Sequence, residues 1–566
     1  MPSADPASAP ADTILVGGAV HTCDPAQPWA QAVAVRDGRI VAVGTDGEMR
    51  ARRGPRTEVL ELAGRTLLPG FQDAHAHPVG GGMDRRRCDL TDLATGAAYL
   101  DAVRAYAAAH PDLPWIVGRG WAMPAFPGGI PTAGELDRVV PDRPVYLRNR
   151  DGHGAWVNSR ALELAGIDRR TPDPADGRIE RDERGNPVGT LQEGARDLVE
   201  RLLPAVADQD REAGLLEAQA YMHRLGITAW QDANIGLDGG RYGNLDTYHR
   251  VQRRGALTMR VVGALWWDRH RGLEQLDELA AARQRTSGGR FQPTSVKIMQ
   301  DGVLENFTAG VLEPYQDGHG GATDRRGLSF IDPEELAQVV PAVDRAGFQV
   351  HFHAIGERAV REALDAIACA RRANGMNDRR PHIAHIQVVH PDDLPRFRQL
   401  GVVANAQPLW AVNEPQMVEL TIPFLGAERS TWQYPFRSLV AGGAALAFGS
   451  DWPVSSCDPL WQVHVAVNRL PPVADRTHRP PAGSPEVFLP RERLDLTTAL
   501  QAFTMGSARV NHLERDTGSV TVGKAADLVV LDRNLLQQPR LEIAEARVVL
   551  TLVDGRPVHV EEGAWR

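Results

Sequence analysis

Residues 67–78 read Leu67-Leu68-Pro69-Gly70-Phe71-Gln72-Asp73-Ala74-His75-Ala76-His77-Pro78. On a strand, residues two apart share a face, so a strand over 71–77 aims His75 and His77 the same way. Two imidazoles on one face make half of a metal site. With 18 histidines in 566 residues, a chance His-x-His arises about as often as not, and His351 and His353 form a second one. The pair alone therefore decides nothing, and hydrogen-bonded strand histidines are the structural alternative.

The surroundings decide more. Apolar stretches at 71–77, 227–233, 260–266, 295–301, 349–354, 383–387, 402–406 and 446–451 predict eight strands. Helical patterns fall between several of them, at 212–225, 274–285, 333–346, 357–373 and 391–399. Strand–helix alternation implies parallel βαβ units. Eight units imply an α/β fold of the (β/α)8 TIM-barrel type over 67–515, with catalytic groups at the C-terminal strand ends. The long gap after the first strand exceeds any ordinary connection, so residues 80–205 are expected to form an inserted subdomain, with a helix near 98–109 and strands near 115–121 and 144–150. Residues 303–330, rich in Gly and Asp, read as a loop after the fourth strand.

Both chain ends are β-rich. Runs at 13–16, 32–35 and 39–43, with Asp37-Gly38 as a hairpin turn, match 548–553 and Asp554-Gly555 in texture. One small β-sandwich domain built from 12–66 and 516–566 is expected, because chain ends often meet. Residues 1–11, rich in Pro, Ala and Ser, read as a flexible tail.

Composition narrows the function. The apolar share of 43%, the charged share of 24% and the net charge of −9 fit a soluble globular chain and argue against nucleic acid or an anionic membrane as partner. No basic leader precedes the first strands and no apolar run reaches the length of a spanning helix. The four cysteines lie far apart, which predicts neither a disulfide framework nor a thiolate zinc site. A cytoplasmic location, a small-molecule substrate and, as the assembly considered, a homodimer are the expectations.

The polar residues at strand ends carry the chemistry. His353, His385 and Asp451 end the fifth, sixth and eighth predicted strands, as His75 and His77 end the first. Imidazole and carboxylate suit zinc or a similar divalent ion without thiolate. Lys297 lies between Val296 and Ile298 in the fourth strand, where covering helices close the outward route to water. Its amine must be paired, with Asp301 as the ion-pair alternative, or neutral and able to take up CO2 as a carbamate, an anionic ligand.

This set resembles the amidohydrolase superfamily of metal-dependent barrels. The opening motif at 67–77 and the Gly523-Lys524-x-Ala526-Asp527-Leu528-Val529-Val530-Leu531-Asp532 run are similar to that family's. Val296-Lys297-Ile298-Met299-Gln300-Asp301-Gly302, His351-Phe352-His353-Ala354-Ile355-Gly356 and Gly449-Ser450-Asp451-Trp452-Pro453 resemble the branch that includes N-substituted formamide deformylases. The resemblance implies two divalent ions, taken to be zinc. His75, His77 and Asp451 would hold the buried ion, a carbamate on Lys297 would bridge, and His353 and His385 would hold the second. His351 is assigned to packing or outer support. The sequence departs from that branch at Glu357 and Ala384, which bears on support around the ligands rather than on the ligands.

In the insert, Arg148, Asp151, His153 and Asn158 form a polar cluster. The resemblance makes His153 a contact for substrate or oxyanion, against the alternative of a capped helix start. Trp121, Trp156, Trp410 and Trp452 are candidate pocket walls, with Trp121 and Trp452 taken as substrate contacts. The implied reaction is hydrolysis of a C–N bond, an N-substituted formamide or related amide, with Asp451 moving the proton. The alternatives are a one-metal deaminase, a metal-dependent lyase or decarboxylase, and a non-enzymatic binding protein.

Overall fold

A computed structural model of the chain describes residues 9–237, 243–475 and 477–564. Of the tail expected over 1–11, residues 1–8 lie outside the described residues.

All eight predicted strands are present: β1 (Phe71–Ala76), β2 (Ile227–Ile235), β3 (Arg260–Trp266), β4 (Phe291–Met299), β5 (Gln349–Ala354), β6 (His382–His385), β7 (Val403–Ala406) and β8 (Ala445–Phe448). They form one parallel sheet in sequence order. Past the end of β8 the two edges meet. The Asp451 N–H donates to the His75 carbonyl at 2.7 Å, and the Asn405 Nδ2 amide of β7 donates to the Ala74 carbonyl at 2.9 Å. Gly449 permits this approach, since a Cβ there would lie 2.6 Å from His75 N. The result is a TIM-type barrel.

Helices cover the outside for reasons visible in their sequences. In Pro333–Arg345, Leu336, Val339, Val340 and Val343 recur at helical spacing and are buried, while Asp332 caps the start by accepting the Glu334 N–H. In Glu357–Asn374, Val360, Ala363, Leu364 and Ile367 do the same. With Val296, Ile298 and Phe352 of the strands they join the main apolar core between strands and helices.

The barrel interior differs from the usual layers of branched apolar side chains. Gln231 donates to Gln349 Oε1 at 3.1 Å and Asn511 Oδ1 at 3.0 Å, and Gln349 donates to the Val510 carbonyl at 2.7 Å. Gln349, His351 and His353 alternate along β5, so this amide layer lies beneath the histidines.

Two further units flank the barrel. Between β1 and β2 stands a six-stranded sheet in the spatial order Gly177–Arg181, Pro187–Glu193, Gly154–Val157, Val145–Asn149, Ile116–Trp121, Cys88–Asp89, packed with helix Gly96–Ala109. The chain ends make two sheets. One holds Thr13–Val16, Ala32–Arg36, Arg39–Gly44 and Glu58–Glu61; the other joins Ala19–His21, Trp29–Ala30 and Thr66–Pro69 to Leu528–Leu531, Val548–Val553 and Arg556–Val560. Both hairpin turns use left-handed backbone, with φ of 51° and 74° at Asp37-Gly38 and 47° and 68° at Asp554-Gly555. No described helix is long and apolar enough to cross a membrane.

Candidate active site

A cavity of about 1090 Å³ opens at the C-terminal strand ends, and His75, His77, Lys297, His353, His385 and Asp451 all line it. The tightest grouping joins β1 to the segment after β8. Asp451 Oδ1 lies 3.1 Å from His75 Nε2 and 2.9 Å from His77 Nε2. Asp451 sits at φ 55°, a conformation unfavourable for a side chain that persists where surroundings enforce it. Burial alone would raise its carboxyl, but the facing imidazoles hold it well below the ordinary range. Burial pushes His75 down to about 3, aided by Lys297, so its ring is neutral and has a lone pair to give.

This trio fits a metal ion. Atoms bound to one zinc at about 2.0–2.1 Å lie roughly 3 Å apart, which is the observed spacing, and two imidazoles turned to one carboxylate oxygen form a donor set. His75, His77 and Asp451 are the residues that could hold it.

The second set is adjacent. The rings of His353 and His385 are 4.4 Å apart, and His385 is 4.8 Å from His75. Burial drives both well below the ordinary histidine range. Their free nitrogens follow from their partners. His353 Nε2 faces the Gly302 carbonyl at 3.2 Å, so Nε2 carries the proton and Nδ1 the lone pair. His385 Nδ1 donates to Gln407 Oε1 at 3.1 Å, which also accepts the His385 N–H at 2.8 Å, leaving Nε2 free. Lys297 is buried, and burial lowers its amine to about 7. The ion pair with Asp301 is not formed; the Asp301 carboxylate accepts the N–H groups of Gly310, Ile355 and Gly356.

The supporting residues are sorted by contact. His351 Nε2 lies 2.9 Å from His75 Nδ1, beneath the cavity. Glu357 is buried, accepts the Leu312 N–H at 3.1 Å and lies 3.6 Å from Arg429, so it fixes the loop after β4. Ala384 is buried mid-strand between His353 and Asn405.

Of the insert cluster, Arg148, Asp151 and His153 line the cavity, and His153 comes within 5.3 Å of the His353 ring. Asn158 does not reach it: its side chain accepts the Val145 and Ala161 N–H groups and caps a helix. The tryptophans require correction. Trp121 is fully buried against Phe126 and Trp156, its indole N–H spent on the Leu147 carbonyl. Trp452 is not among the residues lining the cavity; its ring is buried in the space left by Gly81, beside Tyr221. An apolar ring next to a ligand in sequence goes to the core when a glycine opposite leaves room. Trp410 instead stacks on His385 at 5.2 Å.

Sequence reading missed three carboxylates. Asp73 accepts the His75 and Ser450 N–H groups at 3.0 and 2.9 Å and the Ser450 hydroxyl, clamping β1 to β8. Asp232, at the end of β2, lines the cavity and accepts the Tyr248 hydroxyl at 2.7 Å. Glu193 holds His153 Nδ1 at 2.8 Å. Position at a strand end was a usable signal for Asp232; nothing local marked Glu193.

Comparison with known proteins agrees with this architecture. The amidohydrolase family profile matches residues 58–559. Protein LONG AFTER FAR-RED 3 of Arabidopsis thaliana is 32% identical over 566 residues, covering 98% of this chain and 92% of the relative. The N-substituted formamide deformylase of Arthrobacter pascens is 28% identical over 554 residues, covering 96% and 97%. A solved structure described as an uncharacterized metal-dependent hydrolase from Pyrococcus horikoshii OT3 superposes with a TM-score of 0.70 at 25% identity, covering 93% and 99%. The chain belongs to the amidohydrolase family and is a metal-dependent hydrolytic enzyme.

Proposed function

We propose that the enzyme cleaves the C–N bond of a small amide, an N-substituted formamide or a close relative, with two zinc ions and a carbamate on Lys297. The observation that carries this reading is the convergence of His75 and His77 on one oxygen of Asp451, with Lys297, His353 and His385 lining the same cavity. The deformylase relative, aligned over nearly its whole length, supports the substrate class. Zinc suits imidazole and carboxylate donors, and when bound it lowers the pKa of water and polarises a carbonyl. Burial lowers the Lys297 amine to about 7, so above that pH the neutral form that can take up CO2 predominates. Asp451 has a second carboxylate oxygen, Oδ2, able to accept a proton and pass it to the leaving nitrogen.

Metal analysis and a substrate screen test this. Two ions per chain and turnover of formamides ahead of acylated amines and cyclic amides are expected. Full activity with one ion, or deamination without amide hydrolysis, would reject it.

A further inference from the structure

Glu193 ends the insert strand Pro187–Glu193 and is buried. Its Oε1 receives His153 Nδ1 at 2.8 Å, Thr308 Oγ1 at 2.9 Å and Asn306 Nδ2 at 3.5 Å. Its backbone N–H donates to the His153 carbonyl at 2.8 Å, and its carbonyl accepts from Arg196 Nε at 3.0 Å. Glu193 and His153 are thus tied by main chain and side chain together. Glu193 also sits at φ 49°, where a residue with a side chain is strained, and such strain persists where surroundings enforce it.

The carboxylate is fitted to the barrel as well. A Cβ on Gly302 would lie 2.3 Å from Glu193 Oε1 and 2.0 Å from Thr308 Oγ1, so only glycine leaves room. The carbonyl of that same Gly302 orients His353 through Nε2. One residue of the insert therefore meets the loop that aims a candidate ligand.

A carboxylate only accepts, so His153 Nδ1 carries the proton and the ring's Nε2 is left toward the cavity. We propose that Glu193 is a positioning residue for the amide-cleaving site: it holds His153 with Nε2 beside His353, where that nitrogen accepts the N–H of the bound amide. The inference rests on the function proposed above. It gives the insert a part in the chemistry, since the barrel alone contains neither His153 nor Glu193. Outer partners that orient a working histidine are typically worth about 10–100-fold.

The test uses the zinc-loaded full-length protein. Activity on the best formamide is measured for Glu193→Gln, His153→Asn and the double variant, with melting temperature and metal content. Nitrogen-15 NMR of histidine-labelled wild type and Glu193→Gln reads which nitrogen of His153 is protonated. Expected are a proton on Nδ1 in the wild type, an altered His153 signal in Glu193→Gln, a kcat loss of at least ~10-fold with unchanged metal content, and a double variant within about threefold of His153→Asn. Two results overturn the proposal: a wild-type His153 without a proton on Nδ1, or losses that multiply in the double variant, which would make Glu193 a fold residue only. Should the wild type cleave no amide, the substrate reading falls while the NMR result still decides the positioning.

Discussion

Replacing Asp451 with Asn separates a working carboxylate from a structural one. Asn keeps the volume and one oxygen for His75 Nε2 and His77 Nε2, now at 3.1 and 2.9 Å, but loses the charge and the oxygen that accepts a proton. Hydrogen bonds to a charged group contribute about 1.5–3 kcal/mol and neutral ones about 0.5–1.5. Two weakened contacts cost roughly 2–3 kcal/mol by the same comparison. In a chain this long that lowers the melting temperature by a few degrees at most, since even 150–250 residues shift only about 2–4 °C per kcal/mol. The backbone strain at φ 55° eases slightly, because Asn tolerates left-handed backbone well. Turnover behaves differently. Loss of general acid–base help costs about 10²–10⁴, so kcat is expected to fall at least ~100-fold, equal to about 2.7 kcal/mol of barrier. Melting temperature, metal content and kcat are measured on one preparation. A variant that keeps its metals and turns over within tenfold of wild type would refute both the proton role and the hydrolytic reading of the site.

Four further expectations follow from the same geometry. Because burial lowers the Lys297 amine from 10.5 to about 7, the neutral form that reacts with CO2 dominates above pH 7; ¹³C-bicarbonate should give a carbamate signal that grows as pH rises through 7 and is absent in Lys297→Ala, whereas growth only near pH 10 would contradict the burial argument. Gly449→Ala places a Cβ 2.6 Å from His75 N and His75 Cβ, neither of which can swing aside; overpacking of about 1–3 kcal/mol should part β1 from β8 and lower metal content. Trp452→Ala should destabilise by about 3–5 kcal/mol as a core residue, measured by denaturant unfolding. Trp410→Ala, which removes the ring stacked on His385, should instead change KM and kcat with a smaller stability loss.

The sequence by itself determined the barrel. Short apolar runs and intervening amphipathic helices are local patterns, and each of the eight strands formed where its pattern stood. Strand-end position also sufficed to gather His75, His77, His353, His385 and Asp451, because in a closed parallel barrel all C-terminal strand ends face one space, and Lys297 was marked by an amine within a strand covered on its outer side. Contacts between segments far apart in the chain were decided only by tertiary structure. Asp73 owes its importance to Ser450, 377 residues away, and Glu193 to His153 and to the loop at 302–308. Trp121 and Trp452 went to the core because Phe126 with Trp156, and Gly81 with Tyr221, offered apolar space that no reading of their own neighbourhoods reveals. Pattern along the chain sets which face a side chain leaves the backbone from; what it meets there depends on a partner whose position the pattern does not encode.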